Sequence, residues 1–188
     1  MVLAYHVILS FYGFWLPNDE RGSWSDRVRK YELQRFGPAT KVTTKRSLAD
    51  HPFDPKRRDQ MRQTLNHPPV RITGRQAREV ASGFALACNE AHYQPFACAI
   101  MPNHVHLVLG RHDRPVEQTS AHLKSRATQR LNARGLNPLP RSPWAKGQWV
   151  VYLNSPQQVI NAINYANRNP TRDGLKRQQW KFVKPYSV

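Results

Sequence analysis

The 188-residue chain predicts a mixed α+β fold. A near-continuous apolar run close to the N-terminus, from Val2 to Phe14, reads as a strand. Two further apolar runs, 93–101 and 104–109, flank the turn pair Pro102-Asn103 and read as a hairpin. Three longer segments carry the spacing or the end signals of helices.

Taken in order, the first strand has so few polar interruptions that it belongs in the middle of a sheet. Tyr5 and His6 lie within it. His6 is able to reach a site beneath the strand, but the preferred reading is a satisfied, half-buried histidine. Pro17, Asn18-Asp19 and Gly22 then mark a loop. Trp15 and Trp24 bracket an acidic pair and Arg21, a combination suited to base stacking and phosphate contact. The same tryptophans are equally suited to pinning a long loop onto the core. Residues 17–70 form a basic insertion, interrupted by Pro38, Pro52, Pro55, Pro68 and Pro69 and carrying Lys41, Lys45, Arg46, Lys56, Arg57, Arg58 and Arg62. So long an irregular connection implies a use. The expectation is short helical pieces, one over 55–65, lying against nucleic acid.

Thr73 or Gly74 caps a helix over 75–93, in which Ala77, Val80, Ala81, Phe84, Ala85 and Cys88 recur on one face. Pro115 opens a second helix and Gly135 ends it. Its Lys124, Arg126, Arg130 and Arg134 form a basic side. Residues 144–153 read as a strand or hairpin. Ser155 and Pro156 then start a last helix that Pro170 is expected to stop. A basic, aromatic tail covers 176–188. The whole is expected to be one domain, 1–188.

Charge is the dominant bulk quantity: 29 Lys+Arg against 12 Asp+Glu, formally +17. Such an excess calls for a polyanionic partner, nucleic acid before an anionic membrane. Two cysteines without a CxxC spacing support neither a zinc knuckle nor a disulfide framework, and fit a reducing, cytoplasmic setting. No run approaches the ~20 apolar residues of a membrane helix, and the N-terminus lacks secretory features.

The chemistry concentrates in two places. In the strand 104–109, His104 and His106 point the same way because strand side chains alternate, so two imidazoles stand side by side. That is a natural start for a metal site. In the last helix, Tyr165 and Asn169 are four apart and share a face. A phenol is a poor nucleophile at its ordinary pKa near 10, but not when a metal stabilises the charge that develops on the group it attacks. A phosphodiester fits. Two imidazoles and the Asn169 amide oxygen form a three-point set suited to Mg²⁺ or Mn²⁺.

Met101-Pro102-Asn103-His104-Val105-His106-Leu107-Val108-Leu109 resembles the His-hydrophobic-His motif of HUH single-strand DNA transesterases. Tyr165-Ala166-Asn167-Arg168-Asn169-Pro170, with Gly174-Leu175 downstream, is similar to the tyrosine helix of Y1 transposases. The Tyr5-His6-Val7-Ile8 strand and the loop Trp15 to Ser23 also resemble the IS200-like group and its REP-associated tyrosine transposase branch. The resemblance implies a ferredoxin-like antiparallel sheet with helices packed on it. It implies cleavage of single-stranded DNA beside an imperfect hairpin, through a 5′-phosphotyrosine intermediate, by a bacterial, nucleoid-associated protein that is a monomer or homodimer. Carried over, Tyr165 is the nucleophile, His104 and His106 are metal ligands, and Asn169 is the third ligand, where related groups use Gln. The DNA-binding set expected from charge and aromatics is Trp15, Arg21, Trp24, Lys45, Arg46, Arg57, Arg58, Lys124, Arg126, Arg130, Arg168, Arg172, Lys176 and Arg177. Two other functions fit the same residues: a non-catalytic binder of structured DNA, and a metal phosphoesterase that activates water and has no use for Tyr165.

Overall fold

A computed structural model describes residues 1–23, 25–42 and 54–187. The elements run β1 (Ala4–Ser10), α1 (Tyr31–Gln34), α2 (Pro55–Gln63), α3 (Gly74–Ala91), β2 (Pro95–Ile100), β3 (His104–Gly110), α4 (Val116–Ala133), β4 (Trp149–Leu153) and α5 (Pro156–Arg172). The four strands form one sheet in the order β2-β3-β1-β4, and every neighbouring pair is antiparallel. With α3 between β1 and β2 and α4 between β3 and β4, this is the ferredoxin-like βαββαβ arrangement. The α+β class expected from the sequence is the class observed.

Strand alternation sorts the sheet into two faces. Val7 and Leu9 of β1 and Phe11 just beyond it, with Val105, Leu107 and Leu109 of β3, join the main core beneath α3 and α4. Those helices pack closely enough that a Cβ on Gly83 would sit 2.4 Å from Ala127 Cα, so only glycine permits the crossing. On the other face Ala4, Ala97, Val108 and Leu153 meet Val159, Ala162 and Ala166 of α5. The alanines on both sides let this helix approach the sheet closely, which sets the depth at which its polar residues meet the strand histidines.

The helix ends follow local chemistry. Thr73 and Gln76 form a reciprocal capping box at α3. The Ser155 side chain accepts from Gln158 N–H at the start of α5. The α4 helix ends as expected at Gly135, whose φ is +62°. Pro170 does not stop α5, contrary to the sequence expectation; the helix runs on to Arg172. A proline removes one amide donor and crowds the carbonyl four residues back, and here it does so in the last turn of the helix, two residues before its end. The turn beyond it closes through Gly174 N–H to Thr171 O at 3.2 Å and Leu175 N–H to Pro170 O at 2.8 Å, with Gly174 at φ +72°. This is a Schellman ending, which recovers carbonyls that would otherwise be orphaned.

Two strands are shorter than the apolar runs suggest. The first ends at Ser10, and Phe11 makes an isolated bridge to Trp144 with the rings stacked at 4.3 Å. Regular pairing in β4 begins only at Trp149. The described residues of 17–70, with Leu16 just before them, build a small core of their own: Leu16, Leu33 and Met61, with Val28, Phe36 and Leu65 against it. The Asn18 amide ties it together by donating to Leu33 O at 2.8 Å. The tail closes the outer edge of β2: the Gln178 side chain exchanges both hydrogen bonds with the Ile100 backbone at 2.8 Å, and Lys184 N–H donates to Pro95 O at 2.9 Å. An open strand edge is thereby satisfied. Cys88 on α3 and Cys98 on β2 are free and buried in the main core.

Candidate functional site

The register of the two central strands decides what the α5-facing side of the sheet presents. Ser10 lies opposite His104 and Ile8 opposite His106, so His6 falls one step further along the same face. The three imidazoles form a chain. His6 Nε2 is 3.0 Å from His106 Nδ1, and His106 Nε2 is 2.9 Å from His104 Nε2. His104 Nδ1 is 2.8 Å from Asn103 Oδ1. An amide oxygen only accepts, so His104 Nδ1 carries the proton and its Nε2 holds a lone pair. That lone pair points at His106 Nε2. Two nitrogens at 2.9 Å need a proton or a cation between them.

A cation fits the spacing. Two donors at about 2.1 Å from one metal, subtending a right angle, lie about 3 Å apart. Among the described residues no three His, Cys, Asp or Glu side chains converge to hold an ion. A third protein ligand therefore comes from another residue type or is left to substrate oxygens. Neutral imidazoles suit the role, and burial keeps them neutral. Desolvation, reinforced by His104, lowers His6 from 6.5 to about 4. Desolvation also lowers His104 to about 4, with Asp173 opposing and Arg21 assisting. His106 is pushed well below 6.5 by burial and then by the other two rings.

The α5 helix lays Tyr165 across this cluster. Its ring stands edge-on to His106 at 5.3 Å between centroids and edge-on to His6 at 5.8 Å. The residue is nonetheless 45% exposed, so an incoming polymer can reach it. Asn169 is buried one turn further on, and its amide nitrogen donates to Tyr165 O at 2.9 Å. That bond leaves the amide oxygen, the atom with the chemistry of a hard-metal ligand, as the group available to coordinate. This hydrogen bond ties Asn169 to its own helix rather than to the imidazoles.

The predicted DNA-binding residues separate into three groups. Trp15 donates its indole N–H to Gly22 O at 2.7 Å, and the Arg21 guanidinium stacks 4.3 Å over its ring while pairing bidentately with Asp19. Trp15 thus pins its loop. Arg57 pairs with Glu20, Arg126 with Glu90 at 2.8 Å, and Arg130 with Glu79 at 2.9 Å. Lys124 clamps Ala145 O and Gly147 O, and burial lowers it to about 8. Arg58 is held low first by burial and then by Arg21 and Arg62. Arg168, Arg172, Lys176 and Arg177 are exposed around the Tyr165 end of α5. Trp24, Lys45 and Arg46 lie outside the described residues.

Sequence reasoning underweighted His6 and did not single out Asn103 or Asp173. Asn103 had a signal, since it immediately precedes the histidine pair. For His6 the decisive fact is strand register across a hundred residues, which no local pattern carries.

No protein-family model and no curated protein sequence matches the chain. Among solved structures it is similar to a REP-associated tyrosine transposase bound to a REP hairpin, at 11% identity and a TM-score of 0.50, covering 96% of this chain and 74% of that one. A second likeness is to a structure from Deinococcus radiodurans R1 assigned provisionally as a transposase, at 13% identity and a TM-score of 0.45, covering 88% and 92%. Nothing below rests on the second. Over nearly its whole length the chain has the fold of the REP-associated tyrosine transposase.

Proposed function

We propose that the protein is a metal-dependent transesterase that nicks single-stranded DNA beside an imperfect hairpin. The observation that carries this reading is the position of the Tyr165 ring, open to solvent and edge-on to His106, whose Nε2 is 2.9 Å from that of His104. The Tyr165 oxygen attacks a backbone phosphorus and the bond to the 3′ oxygen breaks. The phenol proton leaves to solvent, the departing 3′ oxygen takes one up, and the 5′ phosphate stays on tyrosine. One ester replaces another, so rejoining needs no nucleoside triphosphate. His104, His106 and Asn169 would hold Mg²⁺ or Mn²⁺, which supplies Lewis acidity at the phosphodiester. Arg168, Arg172, Lys176 and Arg177 supply charge for the strand leading to the site.

The test is incubation with end-labelled hairpin DNA carrying a single-stranded flank, with Mn²⁺, followed by denaturing electrophoresis. A labelled band that survives denaturation and disappears on protease treatment is the expected product. Tyr165→Phe is expected to abolish it and to leave hairpin affinity within about twofold, because the hydroxyl serves chemistry rather than binding. Cleavage by Tyr165→Phe would identify a water-activating phosphoesterase. Tight binding with no cleavage by the unaltered protein would identify a non-catalytic binder.

A further inference from the structure

The Nε2 lone pair of His106 has to be kept free if it is to meet a cation, and an isolated neutral imidazole does not do this by itself. Its single proton sits on either nitrogen. For His104 the question is settled by Asn103 Oδ1, 2.8 Å from Nδ1. For His106 the corresponding atom, Nδ1, faces His6 Nε2 at 3.0 Å. His6 comes from β1, a different strand, and is buried with His106. Its Nε2 is on the opposite side of the His106 ring from the nitrogen shared with His104, so it is placed to orient that ring rather than to be a third ligand.

We propose that His6 is a positioning residue: its Nε2 accepts the Nδ1–H of His106 and so holds the His106 Nε2 lone pair toward the site shared with His104. The role rests on the metal reading above. It requires His6 itself to carry its proton on Nδ1. The Asn103–His104 and His6–His106 pairs are then equivalent devices, each fixing one ligand from behind, as ligating histidines are commonly fixed by the group that takes their other proton. The edge contact of His6 with Tyr165, at 5.8 Å between centroids, makes the same ring part of the floor on which the phenol rests.

Two measurements on the whole 188-residue chain test this. Long-range ¹H–¹⁵N correlation spectra of the protein saturated with diamagnetic Mg²⁺ report the tautomers directly; the expected result is a protonated Nδ1 on His106, and a protonated Nε2 there overturns the proposal. Calorimetric titration with Mn²⁺ alone then compares the unaltered protein with His6→Phe and His6→Gln, each checked for folding by circular dichroism. Phenylalanine keeps the ring and removes the acceptor, and should weaken Mn²⁺ binding roughly 10–100-fold. Glutamine restores an acceptor oxygen near the Nε2 position and should recover most of the loss. Equal affinity in His6→Phe, or no recovery in His6→Gln, overturns the role of His6 while leaving the metal reading standing. An unaltered protein that binds no Mn²⁺ overturns the metal reading and this role with it.

Discussion

Three imidazoles and one phenol share a few ångströms of sheet surface, and burial governs their charge. Each histidine has a folded pKa below its unfolded value, so the unfolded chain binds more protons as pH falls below about 6.5. The stability of the metal-free protein should therefore be full above that pH. It should drop progressively between about 6.5 and about 4, by on the order of a few kcal/mol per ring for His6 and His104. Denaturant melts from pH 7.5 to 4.5 check this; a flat profile would mean that the rings are hydrated or paired with a carboxylate. The His104/His106 pair was legible in the sequence because period-two alternation alone puts both on one face. Their meeting with His6 was not, because it depends on Ile8 pairing with His106 rather than with a neighbour. A one-residue slip would send His6 to the opposite face.

Among the secondary elements, the close α3–α4 crossing and the α5 docking do different work. The crossing is a stability feature. An added methyl at Gly83 meets Ala127 backbone at 2.4 and 2.6 Å, where nothing flexible can give way. Gly83→Ala should cost about 3 kcal/mol or more and lower the melting temperature by roughly 10 °C. A melting temperature within about 2 °C of the parent would mean the helices separate more easily than their packing implies. Helix α5 is instead a delivery element: Ala162 and Ala166 bring it down onto the sheet, and Tyr165 rides on the flank of that stripe. Most of this was readable, since the Ser155-Pro156 start and the apolar spacing define the helix. Its true end was not, because a proline reads as a stop unless the glycine four residues later is seen to close the turn.

At the scale of the molecule, a charge of +17 is distributed unevenly in use. Arg57, Arg126 and Arg130 are engaged with carboxylates, whereas Arg168 and Arg172 stand exposed beside Tyr165. Binding to single-stranded DNA should weaken steeply with salt, and losing two phosphate contacts should flatten the log–log slope by about 1.4. We expect Arg168→Ala/Arg172→Ala to show that change, and Arg126→Ala/Arg130→Ala to lower stability with little effect on the slope. Equal slopes for the two double variants would place the DNA elsewhere. Composition called for a polyanionic partner but could not say which cations are already spoken for, because pairing is a property of the fold. The same holds for 17–70: its prolines and charge read as an insertion with short helical pieces, while Leu33 and Met61 within it close a small core with Leu16 just before it, which no local pattern announces.

The two cysteines give the molecule a built-in reporter. Burial raises the Cys88 thiol to about 12 and Cys98 well above its ordinary value, so near neutral pH neither offers the thiolate that alkylating and disulfide reagents attack. They face the same interior from a helix and from a strand. Cys88 modification therefore follows how often that interior opens, whereas Cys98 also borders a groove beside the tail, with Phe96, Asn167 and Trp180. A fluorophore attached through a cysteine introduced on the exposed surface would meet little competition from a native thiol while the protein stays folded.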